Sequence, residues 1–183
     1  MKLFHVSEEA DIEKFIPRIP SRKDIDQSRG LVWALNEPCL PNYLTPRDCP
    51  RLAYHATVKT TQDDIAKFFS SSQRHCVVIE SAWYERMAKT SLYIYEFDTA
   101  DFQRQNANFR LQDDVAGYYI SEQTQTPISV TRIDDLFAEL FRRNVEVRIL
   151  DNLWHLGRSL QQSTLNWSLC RMAHAQAELV RNR

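Results

Sequence analysis

His5 is the first side chain of this sequence that titrates near neutral pH, and it lies within the apolar run Leu3-Phe4-His5-Val6-Ser7. An imidazole serves as acid, base or hydrogen-bond partner. A lone histidine at a strand end is more often a structural hydrogen-bond partner than a catalyst. Ser7 favours the functional alternative, because Leu3, His5 and Ser7 share one face of a strand. A face with two polar groups predicts contact with a pocket or water rather than with core.

Glu122 and Trp33 are the next candidates. Glu122 directly follows the aromatic run Tyr118-Tyr119-Ile120-Ser121. Loops at strand ends often carry carboxylates that meet substrates, although a solvated turn glutamate is the commoner case. Tyr118 and Tyr119 point to opposite faces, so at most one of them lines a pocket with Glu122. Trp33 lies in a continuous apolar run, where core packing is its ordinary role and stacking on a planar ligand is the alternative.

The segment P-R-D-C-P-R (46–51) places Asp48 and Cys49 between two arginines. Arg47 and Arg51 form either a surface ion-pair network of small energetic value or a rigid fork for phosphate or carboxylate. The commoner role of a cysteine such as Cys49 is that of a small buried hydrophobe, and the alternative is a thiol whose pKa the same arginines lower. The cysteine spacing matches no zinc pattern, so no metal is expected.

Composition excludes several classes of protein. A content of 43% hydrophobic and 26% charged residues is that of a soluble globular protein. The net charge of −1 argues against nucleic-acid binding through a basic face. The chain has no apolar run long enough for a membrane span and no secretory signal, so the expected compartment is the cytoplasm. Its three glycines form no glycine-rich phosphate loop, which excludes Rossmann and P-loop folds.

The order of elements predicts an α+β fold. About seven strands with few, short helices are expected, and regular βαβ alternation is missing. We therefore expect one domain over residues 1–183, with a split, mostly antiparallel sheet core in residues 1–150 and a helical tail in 151–183 packed on it. Pro127 indicates either a sheet edge or a bend for the strand at 125–132. Residues 106–114 are expected to form a polar loop.

Six runs resemble an uncharacterised bacterial family known only as a domain of unknown function. The resemblance covers most of the chain and implies no activity, and its most specific run is P-R-D-C-P-R. The runs are L-F-H-V-S-E-E (3–9), V-W-A-L-N-E (32–37), P-R-D-C-P-R (46–51), L-Y-I-Y-E-F (92–97), A-G-Y-Y-I-S-E (116–122) and V-E-V-R-I-L-D-N-L-W (145–154).

More distantly, the element order resembles small ADP-ribosyltransferases of the rifampicin-modifying and diphtheria-toxin-like type. The resemblance implies an enzyme that cleaves the nicotinamide–ribose bond of NAD. His5 would hydrogen-bond the NAD ribose, and Glu122 would stabilise an oxocarbenium-like transition state by charge. Trp33 would stand where that family has a tyrosine that stacks on nicotinamide. The NAD-binding set implied in this way is Ser7, Trp33, Arg51 and Tyr119, with Arg51 or Arg18 at the pyrophosphate.

Two function hypotheses stay open. The first is an NAD-dependent ADP-ribosyltransferase or NAD-glycohydrolase-like enzyme, with a nucleotide-like small molecule as its partner. The second is a non-catalytic small-ligand or protein-binding domain on the same scaffold, homodimeric through its C-terminal third. Val6 stands where the enzyme family has a glycine, which narrows access for NAD. The first hypothesis requires His5, Trp33 and Glu122 to line one cleft.

Overall fold

The computed structural model describes residues 1–20, 26–104 and 117–178. Its contacts divide the chain into two compact units, each discontinuous in sequence. Unit 1 comprises Met1–Leu44 and Ser91–Asp134, and unit 2 comprises Thr45–Thr90 and Asp135–Arg183. Both contain a sheet, and helices and strands follow one another irregularly, so the α+β class is confirmed. The single-domain organisation stays a prediction, and the expected loop at 106–114 lies outside the described residues.

Unit 1 is built on a six-stranded sheet in which every pairing is antiparallel. The strand order is β6-β7-β2-β1-β5-β8. β8 is therefore an edge strand, which is one of the two alternatives that Pro127 indicated, although Pro127 itself precedes the strand. The strands are β1 (Leu3–Ser7), β2 (Val32–Asn36), β5 (Leu92–Phe97), β6 (Gln103–Arg104), β7 (Tyr118–Ser121) and β8 (Ser129–Ile133), and a 3₁₀ helix (Glu37–Tyr43) follows β2.

One face of this sheet carries the core of unit 1. Its buried side chains include Leu3, Val32 and Tyr95, and Phe15 packs against them. The main chain at Phe15 pairs with the connection between β7 and β8: the Phe15 N–H donates to the Gln125 carbonyl at 2.8 Å, and the Gln125 N–H donates to the Phe15 carbonyl at 3.0 Å. Residues 9–15, called the covering segment below, therefore pack against this face of the sheet.

Unit 2 is built on a four-stranded sheet in the order β10-β3-β4-β9, with β4 and β9 parallel and the other pairs antiparallel. One sheet face packs Leu52, Tyr54 and Val78 into a core with Phe68 and Leu160. The elements are β3 (Arg51–His55), α1 (Gln62–Phe68), β4 (His75–Glu80), a 3₁₀ turn (Ser81–Trp83), α2 (Tyr84–Lys89), α3 (Leu136–Arg142), β9 (Glu146–Leu150), α4 (Trp154–Leu160), β10 (Asn166–Cys170) and a second 3₁₀ turn (Met172–His174).

The expected helical tail is wrong beyond α4. Residues 166–170 form β10, which pairs with β3 along its whole length. The cause is a local change of period: Trp167 and Leu169 alternate with polar Ser168 and pack against the sheet core. A period of two matches a strand, whereas the helical composition of the tail as a whole concealed it.

Gly117 offers a test of how β7 begins. Its φ of +56° is left-handed, and an added Cβ would lie 2.3 Å from the Asn36 Oδ1, which accepts the Cys39 N–H at the start of a 3₁₀ helix. We expect Gly117→Ala to lower the free energy of unfolding by about 2 kcal/mol, from backbone strain plus a disturbed cap. Urea denaturation measures the change.

Gly157 is the matched control. It lies inside α4, and its nearest atoms to an added Cβ are at 3.9 Å, an ordinary contact distance. Gly157→Ala should therefore raise the free energy of unfolding by about 0.5–1 kcal/mol through helix propensity. Equal effects of the two substitutions would contradict the conformational argument.

Candidate functional site

His5 lies in the middle of β1 and is held by a main-chain acceptor. Its Nδ1 is 2.9 Å from the carbonyl oxygen of Trp33. A carbonyl only accepts, so Nδ1 carries the hydrogen and donates it. The imidazole also packs against the Phe15 ring, with centroids 4.9 Å apart. Burial lowers the pKa of His5; the bond to the Trp33 carbonyl opposes this shift, and the charge of Arg18 adds to it. His5 is therefore a neutral, structurally engaged histidine at neutral pH.

Leu3 and His5 pack beneath the segment with Phe15, so the expected pocket or water is wrong at these two residues, whereas Ser7 at the end of β1 is half-buried. Leu3 is fully buried in the cluster that Phe15 covers. The Ser7 hydroxyl accepts the N–H of Glu9 at 3.0 Å, which starts the covering segment. Two polar side chains are tolerated on this face because each makes a hydrogen bond with the main chain.

Trp33 lies on the opposite face of the sheet from His5. β1 and β2 pair Leu3 with Asn36 and Phe4 with Leu35, so alternation places His5 opposite Ala34. The Trp33 ring instead meets Tyr118 edge-on, with centroids 5.3 Å apart. His5 therefore contacts the carbonyl of Trp33, while the indole points away from it.

Glu122 lies just beyond β7, two strands from β1, which is about 10 Å of backbone separation. Its carboxylate forms an ion pair with Arg29, which also lies 3.4 Å from Asp26. Both partners are about half exposed, at 50% and 55% of side-chain surface. The pair borders a pocket of about 160 Å³, lined by Arg29, Asp101, Gln103, Ile120, Ser121, Glu122 and Gln123.

The sequence did not indicate most of this pocket. Glu122 and Arg29 are separated by 93 residues, and no local pattern links them. Asp101 and Gln103 come to the site because β6 pairs with β7, placing Gln103 opposite Ile120. A two-residue strand leaves too short a hydrophobic pattern to be found from sequence.

Tyr119 and Arg51 are not among the residues that line the Glu122 pocket. Tyr119 is paired with Ala34 and packs against the unit 1 core, on the same face as His5. Arg51 belongs to β3 of unit 2, is 7% exposed, and donates to the carbonyl of Cys49 at 3.2 Å. Of the residues selected from the sequence, Glu122 is the one that lines the pocket.

Cys49 is a buried thiol, as its favoured interpretation predicted, and the alternative of a pKa lowered by the arginines is wrong. Burial raises the pKa of Cys49 to about 12, and the opposing charges of Arg51 and Arg86 do not overcome it. The Sγ atom lies 3.6 Å from the carbonyl oxygen of Pro50. The thiol stays protonated and serves as a small core side chain.

Two histidines in unit 2 form a pair that the sequence did not suggest. His55 and His75 face each other across β3 and β4, with ring centroids 5.3 Å apart. Burial lowers the pKa of both, and that of His75 falls to about 4, with the charge of His55 contributing. Across the described ranges, no group of three or more His, Cys, Asp or Glu side chains is arranged to hold a metal ion.

The comparison with family models decides the identity of the chain. The model of a family of unknown function, DUF6886, matches residues 4–175. The chain belongs to DUF6886. No curated protein and no solved structure matches it. These comparisons give no support to the resemblance to ADP-ribosyltransferases. In the described part of this DUF6886 chain, no helix is long and apolar enough to cross a membrane.

Membership of DUF6886 brings no activity, so the function of the chain must be argued from its geometry. The matched range includes His5, Trp33 and Glu122, which the sheet separates, and also the residues that line the Glu122 pocket.

The histidine pair predicts a loss of stability in mild acid. The lowered pKa of His75 means that the unfolded chain, with an ordinary value near 6.5, takes up the proton first. The free energy of unfolding should therefore fall as the pH drops from 6.5 towards about 4. Between these pH values the free energy of unfolding, measured with urea, should fall by about 3 kcal/mol more for the wild type than for His75→Gln.

His155 provides the control for this titration, because its side chain is exposed on α4 of the same unit. His155→Gln should retain the pH dependence of the wild type. If His75→Gln and wild type lost equal stability over this range, the buried pair would not be the source of the effect.

Proposed function

We propose that this DUF6886 protein is a non-catalytic domain that binds a small zwitterionic ligand in the Glu122 pocket. The observation that carries the proposal is the pocket itself, in which one cation, Arg29, and two carboxylates, Asp101 and Glu122, surround a cavity of about 160 Å³. It corresponds to the second of the two hypotheses from the sequence.

The charges of the pocket suit an amino acid with a basic side chain. Arg29 can take a ligand carboxylate, and the two acidic side chains can take two ammonium groups. The existing pair between Arg29 and Glu122 is half exposed, so opening it costs no more than about 1 kcal/mol. Ile120 supplies an apolar wall for a methylene chain.

Size and topology argue against NAD. A volume of about 160 Å³ is below the range of roughly 300–1,000 Å³ that is usual for drug-sized ligands, and a dinucleotide is larger still. The NAD hypothesis also needs His5 and the Trp33 ring in one cleft, whereas strand alternation puts them on opposite faces. The His5 imidazole is already engaged with Phe15 and a carbonyl.

A thermal-shift titration separates the two hypotheses. We expect millimolar NAD to leave the melting temperature of the wild type unchanged, because a ligand stabilises only the state that binds it. His5→Ala and Glu122→Ala are the comparison variants. A rise with NAD that both substitutions abolish would restore the enzymatic hypothesis.

Binding of L-lysine tests the pocket directly. We expect L-lysine to shift the backbone amide resonances of Gln103 and Gln123, and Glu122→Gln to weaken this binding about tenfold through loss of a charge-assisted hydrogen bond. L-glutamate, which lacks the second ammonium group, should bind more weakly than L-lysine.

Glu13→Gln is the matched control, since Glu13 is an exposed acid of unit 1 outside the pocket lining. It should leave lysine binding unchanged. Equal responses to lysine and glutamate, or equal effects of the two substitutions, would contradict the proposed charge complementarity.

A further inference from the structure

The end of the described chain in unit 2 is held by side chains that grip its main chain. The carboxylate of Glu80 accepts the N–H of Gln176 at 2.9 Å. The indole Nε1 of Trp154 donates to the Gln176 carbonyl at 2.9 Å, and the amide of Asn152 donates to the Ala177 carbonyl at 3.0 Å. Glu80, Asn152 and Trp154 are called the clamp below.

The clamp recognises peptide groups and not side chains. The side chains of Gln176, Ala177 and Glu178 are exposed. The Glu178 side chain forms an ion pair with Arg158, which is a polar contact outside the clamp. An extended segment of different sequence would therefore offer the same N–H and carbonyl groups to the clamp.

Two features of the clamp bear on what it can bind. The Asn152 side chain is oriented by a bond within the clamp itself, because its Oδ1 accepts the N–H of Trp154 at 2.9 Å. Its amide hydrogens are then directed outward to donate. Glu80 is 1% exposed, and its Oε1 has no hydrogen-bond partner among the residues that the structure describes. A buried carboxylate with spare acceptor capacity is a site for further N–H donors.

The family match includes the clamp and stops before the peptide groups that the clamp binds. The match to DUF6886 ends at residue 175. The clamp lies inside this range, whereas the peptide groups that it holds, at 176 and 177, lie beyond it.

We propose that the clamp is a binding site for an extended peptide of a partner protein, and that residues 175–178 occupy it as an intramolecular competitor. Recognition is through the peptide main chain, so the partner segment is defined by extended conformation and an accessible N–H, with little demand on its side chains. The site is independent of the Glu122 pocket of unit 1.

Gln176→Pro releases the competitor selectively. Proline removes the N–H that Glu80 accepts and places a ring carbon against the carboxylate. Ala175, with φ −75° and ψ 158°, already has the conformation that a residue before proline prefers. Gln176→Ala is the matched control, because it changes the same exposed side chain and keeps the N–H.

The probe is a fluorescein-labelled peptide of residues 172–178, Met-Ala-His-Ala-Gln-Ala-Glu, titrated with each full-length protein and followed by anisotropy. We expect Gln176→Pro to bind the probe at least tenfold more tightly than wild type or Gln176→Ala, since the occupied clamp lowers apparent affinity in proportion to its occupancy. A probe that itself carries proline at the position of Gln176 should not bind.

A second variant keeps the test independent of any change in folding. Trp154→Phe retains an aromatic ring but lacks the indole N–H, so Gln176→Pro combined with Trp154→Phe should lose most of the gained affinity. Equal probe binding by Gln176→Pro and Gln176→Ala would overturn the proposal. So would equal binding of the two probe peptides.

Discussion

His5 donates its Nδ1 hydrogen to the Trp33 carbonyl, and this bond joins a side chain of β1 to the main chain of β2. The bond depends on the register of the two strands, which pairs Leu3 with Asn36 and Phe4 with Leu35. A shift by one residue would bring the indole to the face of His5 and move Leu3 out of the core. Because Leu3 is fully buried, the register is strongly determined. The separation of His5 from the Trp33 ring therefore follows from how unit 1 packs.

In both units, side-chain hydroxyl groups also form hydrogen bonds with main-chain atoms. The Tyr95 hydroxyl donates to the Glu9 carbonyl and accepts the Ile12 N–H, and the Tyr54 hydroxyl donates to the Phe68 carbonyl. In each case the acceptor or donor belongs to a segment outside the sheet ladders, whose peptide groups need partners when they are covered. Buried polar side chains thus hold covering segments on the sheets, and Glu80, which accepts the N–H of Gln176, belongs to this group.

The elements that local pattern specifies could be predicted from sequence, whereas the site could not. β5 alternates apolar and polar residues within one segment, and the edge position of β8 is one of the two alternatives that Pro127 indicated. Burial within α3 follows its apolar spacing only in part, because Leu136 and Leu140 are buried whereas Phe141 is 58% exposed. The partners of Glu122 and His5 are a side chain and a carbonyl oxygen far away in sequence. The sequence shows which side chains can form hydrogen bonds. It does not show which main-chain carbonyl will accept them, because every residue has one.

The segment P-R-D-C-P-R explains why a specific motif brought no chemistry. Asp48 adopts a left-handed φ of +66°, and the Cys49 N–H donates to the Pro46 carbonyl at 3.1 Å, which forms a turn into β3. Arg51 then donates to the Cys49 carbonyl from a buried position. Asp48, Cys49 and Arg51 thus shape this turn through their backbone conformation and hydrogen bonds, and burial raises the pKa of the Cys49 thiol.

This turn also bears on the C-terminal segment. Asp48 lies 3.7 Å from Arg171 and 3.8 Å from His174, distances at which exposed ion pairs contribute little stability. Such contacts can orient residues 171–174 without fixing the peptide groups that follow. The position of the Gln176 main chain therefore depends on its hydrogen bonds with Glu80 and Trp154. These bonds use main-chain atoms that any extended peptide also has.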